Sequence, residues 1–271
     1  MPLSIAGHVV DDPMPIWRKY ARDHGRTIRE YDLAEPGDPN VLTPDEAWIS
    51  RVIGSRLRHD ERDQLVGRAA EAPWTCIHAG ADLADADPAV PDGLFADAAR
   101  LYWWFTSPER IHGVRVAKVH KVLHFKRRGI YPILDDHLRA LYEGFAPAWI
   151  EPLSYLGELT SADSPPFWAA YREDLVGNHD ELERYRRLLL AKDEDDTVTL
   201  VGNLTRLRLQ DIIAWSIDHP APGDDRQPLR FGDGAGSTRQ EARRTTGPAL
   251  QLEERLVVVT LQRYVRAAWP S

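Results

Sequence analysis

The run GIYPILDDHL, Gly129 to Leu138, sets Asp135, Asp136 and His137 directly behind a short apolar segment in which Pro132 falls. Adjacent carboxylates can serve two ends. An aspartate at the start of a helix accepts hydrogen bonds from the free amides of the first turn and favours the positive end of the helix dipole. A carboxylate held rigidly in that place can instead stabilise developing positive charge or activate a water. One aspartate suffices as a cap, so the other is either solvated or has separate work.

The surrounding residues bear on that choice. From Arg115 to Arg139 the chain carries seven basic residues against those two acids, inside a protein of net charge −8. Such contrast fits phosphate contact through Arg115, Lys118 and Lys121, and equally a solvated helix face. His112, His120, His124 and His137 crowd the same region. His120 and His124 are four apart, a metal-compatible spacing, but Lys121 stands where a zinc-protease signature needs glutamate and no third ligand is evident. No metal and no cofactor is therefore assigned. LYWWF, Leu101 to Phe105, offers Trp104 either as a wall for a planar ligand or as core. RLRLQD, Arg206 to Asp211, reads as an intrahelical ion pair. No phosphate-binding Gly-rich loop or nucleophile elbow is present.

The elements that position these residues are helical. In LTPDEAWISRVIGSRL, Thr43 caps, Pro44 takes the first helical position and Glu46 completes a capping box; Trp48, Val52, Ile53 and Leu57 then recur on one face. After an irregular stretch from Ala72 to Pro91, helical spacing returns with Leu94, Ala98, Leu101 and Trp104, and again with Val116, Val119, Val122 and Leu123 before Gly129, which is placed to end that helix. The acids open the next helix. SPPFWAAYREDLVGN, HDELERYRRLLLAK and LTRLRLQDIIAWSI follow, the last with Leu209, Ile212, Ile213 and Ile217 on one face. The expected layout is an N-terminal segment over 1–42, a mostly α helical core over 43–218, a flexible loop or linker over 219–250, and a C-terminal element over 251–271 that leans helical and packs on the core.

Composition narrows the class. The chain has 271 residues, 43% of them hydrophobic, enough to bury a sizeable core. Its pI of about 5.7 argues against a broad basic surface for non-specific nucleic-acid binding. A single cysteine, Cys76, forbids an intramolecular disulfide and any multi-thiolate centre, which suits a reducing cytoplasm. No stretch approaches the roughly 18 apolar residues of a membrane span, so no membrane partner is expected.

The order of features in IHGVRVAKVHKVLHFKRRGIYPILDDHLRALY resembles the helix-hairpin-helix DNA glycosylase superfamily. His112 to Val114 stand where that superfamily has Pro-Gly-Val, and Leu134 to Arg139 where it has Val-Asp-Thr-His-Val and a following basic residue. Gly113 and Asp135 are 22 residues apart, a similar separation. The resemblance implies a glycosylase-like helical core, with Asp135 as catalytic carboxylate, Asp136 at the threonine position and His137 as the supporting histidine. Gly113, Arg115, Lys118 and Lys121 would lie near phosphate, and Trp104 near the base. Arg115 occupies the place of the hairpin's second glycine, and Ala117 that of the lysine nucleophile of bifunctional members, so the activity implied is monofunctional hydrolysis of an N-glycosidic bond. The partner would be DNA or a nucleoside-like small molecule. Two other functions fit the same residues: a glycosylase-fold enzyme turned to small-molecule metabolism, and a non-catalytic binding protein. KVLHFKRRGIYPILDDHL and LTRLRLQDIIAWSI also resemble an uncharacterised actinobacterial family of unknown function.

Overall fold

The computed structural model describes residues 1–107, 113–160, 164–191 and 195–217. His112 and everything beyond 217, including the expected linker and C-terminal element, lie outside the described residues. Within them the chain is mostly helical, as the periodicity predicts.

Thr43 caps α2 (Pro44–Ile49) through the predicted capping box with Glu46. The helix is short because the chain tightens into a 3-10 turn, Ser50–Ile53, that stops at Gly54 in a left-handed conformation. Leu57 is buried, but Trp48, Val52 and Ile53 are only partly so. Residues before 43 contain a hairpin, β1 (Leu3–Ile5) and β2 (His8–Val10), and the helix α1 (Met14–Thr27). Leu3, Ile5, Trp17, Ala21 and Ile28 join the same core cluster as the later helices. Two polar side chains fix the hairpin: the buried Asn178 exchanges two hydrogen bonds with Ser4, and the half-buried Asp174 accepts from the Ala6 amide.

The helices α3 (His59–Ala69), α4 (Leu94–Thr106) and α5 (Val116–Lys126) follow. In α4 the predicted Ala98 and Leu101 are buried, and so are Phe95, Ala99, Tyr102 and Phe105, because the helix is covered on more than one side. Gly129 does not end α5, whose last residue is Lys126 and whose cap is Arg127. Its role is close approach: a Cβ there would stand 2.3 Å from the Ala81 carbonyl oxygen, and the Leu83 amide donates to the Gly129 carbonyl at 2.7 Å.

The remaining helices are α6 (Asp136–Tyr142), α7 (Pro165–Gly177), α8 (His179–Leu189), α9 (Asp196–Gly202) and α10 (Arg206–Ser216). Between α5 and α6 the apolar run Ile130–Leu134 is buried without pairing as a strand. A buried amide or carbonyl must find some partner: the Ile130 and Tyr131 amides donate to the Arg127 carbonyl and the Leu134 amide to that of Pro132, and side chains supply two further bonds. His124 Nδ1 donates to the Tyr131 carbonyl at 2.7 Å, and Asp211 accepts from the Ile133 amide at 3.2 Å. This arrangement fixes where the next residues, Asp135 to His137, emerge.

Candidate functional site

Asp135 is the N-cap of α6: its Oδ1 accepts from the Leu138 amide at 3.1 Å. Its other oxygen accepts no hydrogen bond among the described residues, and the residue is half-buried. Asp136 occupies the first turn and is exposed. His137 is half-buried, and its Nε2 is buried with no partner among the described residues.

Lys121, on α5, comes within electrostatic reach of Asp135. Burial lowers the pKa of its ammonium, and Asp135 opposes that shift. Among the described residues no side chain forms an ion pair with Lys121. Asp135 and Lys121, 14 positions apart, thus act on each other's charge without forming an ion pair.

The other predicted phosphate contacts are arranged differently. Lys118 Nζ donates to both carboxylate oxygens of Glu61, at 2.8 and 2.7 Å, and to the Gly113 carbonyl at 2.9 Å. Gly113 has φ +83°, and a Cβ there would meet Glu61 Oε1 at 2.5 Å, so glycine is needed both for the turn and for that ion pair. Arg115 caps α5 with its backbone and is exposed. Lys126 is fully buried against Glu46 and the Asp38 carbonyl. Arg127 is buried and donates to the carbonyls of Ile77, Pro39, Lys126 and Trp74, and to Asn40. Arg128 reaches the carbonyls of Tyr31 and Ala34. Much of the segment's positive charge thus holds the fold together.

Behind Asp135 lies a polar network on α10. RLRLQD does not form the expected intrahelical pair: Arg208 donates instead to Asp32 at 2.9 Å and to the Tyr20 hydroxyl at 2.6 Å. Burial works against the Arg208 charge, but Asp32, Tyr20 and Asp211 together outweigh it and leave its pKa raised. Arg206 pairs with Asp82 at 2.6 Å. Asp211 accepts from Tyr171 Oη at 2.7 Å as well as from Ile133, and burial pushes it up to about 7, with Asp135 adding to the rise. One signal in the sequence points to this network. Leu207 falls on the side of α10 opposite Leu209, Ile212 and Ile213, so the helix is apolar on two sides, and charges between two packed sides need partners brought from elsewhere.

The histidine pair on α5 is core. His120 Nδ1 donates to the Val116 carbonyl, and its Nε2 accepts from Trp168 Nε1, both at 2.9 Å. Burial lowers both His120 and His124 to about 3. Among the described residues no group of three or more His, Cys, Asp or Glu could hold a metal ion. Trp104 lies elsewhere. Its Nε1 donates to the Arg68 carbonyl at 2.9 Å, and it lines a cleft of about 540 Å³ with Arg68, Glu71, Trp103, Ser107 and Glu158. A second cleft, of about 510 Å³, lies around Trp48 and Arg51. Asp135 lines neither.

Fold and site together describe a mostly helical protein with a half-buried carboxylate at a helix head and a buried ionic network behind it. The chain belongs to the family described as "Family of unknown function (DUF6308)", whose model matches residues 67–218. That span holds Lys121, Asp135, Arg208 and Asp211, while Tyr20 and Asp32 of the network fall before it. No curated protein and no solved structure matches. No helix among the described residues is long and apolar enough to cross a membrane.

Proposed function

We propose that the protein is a hydrolase that cleaves the N-glycosidic bond of a small nucleoside-like substrate, with Asp135 as the reacting carboxylate. The observation that carries this reading is the state of Asp135, half-buried at the head of α6 with one oxygen held by the Leu138 amide and the other available. The resemblance of Gly113–Arg139 to the glycosylase motif supports the same role. In the reaction, water forms a bond to the anomeric carbon, the bond from that carbon to nitrogen breaks, and the departing nitrogen receives a proton. Asp135 stabilises the oxocarbenium-like centre or activates the water. Lys121 meets an anionic group of the substrate, and His137, whose Nε2 is buried, supports Asp135 from within the same helix head.

A small substrate is favoured over DNA because the basic residues are already engaged. Lys118, Lys126 and Arg127 are bonded within the protein, which leaves little charge to grip a phosphate backbone. Asp135→Asn tests the reading, since asparagine caps a helix as well as aspartate does. Release of free base from a nucleoside panel should fall at least about 100-fold, the lower range for a positioned acid or base, with the urea midpoint unchanged. An Asp135→Asn protein with full turnover overturns the assignment. Tight, salt-sensitive binding to duplex DNA would restore DNA as the substrate.

A second reading is a non-catalytic binding protein in which Asp135 only caps. The engaged Oδ1 and the position of both clefts away from Asp135 favour it. On that reading no nucleoside is turned over, and Asp135→Ala costs about 1 kcal/mol of stability, the usual loss of a cap.

A further inference from the structure

The cleft of about 510 Å³ between the end of α1 and α2 with its 3-10 turn takes no part in the chemistry at Asp135. Arg26 lines it from α1, and Asp45, Trp48, Ile49, Arg51 and Val52 line it from the other side. Ile49 and Val52 are half-buried: they pack against the cluster of Tyr31, Phe125 and Ile133 and leave apolar surface in the cleft. The charges are the informative part. Around this cleft the surface arginines have acidic partners, Arg26 with Glu30 at 2.8 Å, Arg58 with Asp60 at 3.1 Å and Arg62 with Asp63 at 2.6 Å. Asp45 and Arg51 share the cleft, yet neither forms an ion pair or a side-chain hydrogen bond with any described residue. Arg51 rests instead on Trp48, with its guanidinium carbon 4.4 Å from the ring centre, and the His59 ring stacks on the same indole at 4.4 Å. Both Asp45 and Arg51 are exposed, so their charged ends are open to a ligand.

Those groups define a complement: an anion for Arg51, a cation for Asp45 and an apolar body for Ile49 and Val52. A guanidinium stacked on a ring keeps its edge donors free, and a carboxylate takes them in pairs. Trp48 therefore serves to hold Arg51 rather than to stack on the ligand. A simple anion fits less well, because it meets Asp45 as a like charge, and a simple cation meets Arg51 in the same way. Arg26 is already neutralised by Glu30, so the cleft does not call for a polyanion. We infer that this cleft binds a free α-amino acid with a large apolar side chain, its carboxylate on Arg51, its ammonium on Asp45 and its side chain against Ile49 and Val52. A cleft of about 510 Å³ falls in the size range of small-molecule sites. The site stands apart from Asp135 and does not depend on that residue's being catalytic.

The test is equilibrium dialysis of the full chain against leucine, leucinamide, 4-methylpentanoate and glycine. Leucine should saturate one site below about 10 mM, the affinity that a molecule of its size reaches at modest efficiency. Leucinamide lacks the carboxylate, 4-methylpentanoate the ammonium and glycine the apolar side chain. Each should bind at least about tenfold more weakly, the ratio carried by one charged hydrogen bond or one buried side chain. Arg51→Gln and Asp45→Asn change exposed side chains, and each should weaken leucine binding by a similar factor. The pairing of groups is read from the same variants: Arg51→Gln should bind leucine and leucinamide alike, and Asp45→Asn should bind leucine and 4-methylpentanoate alike. The four ligands on the unaltered protein decide the matter by themselves if a variant fails to fold. Asp135→Asn should bind leucine as the unaltered protein does, which separates this site from the proposed hydrolase. The inference is overturned by the absence of saturable leucine binding, by equal affinity of the unaltered protein for leucine and any of the other three, or by unchanged leucine affinity in either cleft variant.

Discussion

Lys118 leaves α5 toward Glu61, and both carboxylate oxygens lie within 2.8 Å of its ammonium. Glu61 is buried while Lys118 keeps some exposure. Burial raises the Glu61 pKa, but the hydrogen bonds from Lys118 and the Arg58 amide, together with the charges of both residues, leave the pKa lowered. Glu61→Gln would put an amide donor against the ammonium and remove one acceptor, so stability should fall by roughly 1–3 kcal/mol, the cost of leaving a buried polar group poorly paired. With Lys118→Met added, urea midpoints should show a coupling of about 0.5–3 kcal/mol. Additive effects would mean that the pair is incidental and that Lys118 is available to a ligand. Spacing within α5 shows that Lys118 and Lys121 are near one another, but Glu61 lies 57 residues before Lys118. Which lysine was already engaged could be learned only from the packing of α3 against this turn.

At the scale of elements, the segment between α5 and α6 is the informative case. Ile130 to Leu134 is apolar and has the look of a strand, and the structure buries it as an irregular connection whose hydrogen bonds go to the Arg127 and Pro132 carbonyls and to the side chains of His124 and Asp211. Helix caps and faces were legible because they depend on neighbours in sequence, as Thr43 with Glu46 and Leu209 with Ile212 demonstrate. The Asp135 cap was legible for the same reason. The network of Asp32, Tyr20 and Arg208 was not, because its partners are 176 and 188 residues apart. A prediction follows for the connection itself. His124→Leu removes the donor to the Tyr131 carbonyl and leaves a buried acceptor bare, so stability should drop by about 1–3 kcal/mol. Hydrogen exchange at the Ile133 amide should quicken along with it. Unchanged exchange there would show that the run holds its shape without the histidine.

For the whole molecule, acid stability follows from which buried groups change charge on unfolding. His120 and His124 are held by burial at about 3, against about 6.5 in an unfolded chain. Between those values the unfolded chain binds the extra protons. The contribution of each histidine is therefore present above about pH 6.5 and is lost as pH falls, at about 1.4 kcal/mol per pH unit. Asp211 runs the other way. Burial raises it to about 7, against about 3.9 unfolded, so the folded chain holds the extra proton and its contribution is lost as pH rises from about 4 through 7. Asp174 is also raised by burial and moves with Asp211, but it is common to any pair of proteins that differ only at 211. Asp211→Asn isolates the term. Asparagine can accept from only one of Tyr171 and Ile133, which adds a cost that does not vary with pH. On top of that fixed offset, the variant should gain on the unaltered protein by up to about 1.4 kcal/mol per pH unit between pH 4 and 7, then run parallel above it. Urea midpoints measured at half-unit steps from pH 4 to 8 read this directly. Curves that stay parallel throughout would mean that Asp211 is ionised in the folded protein across the whole range, with Arg208 shared between it and Asp32.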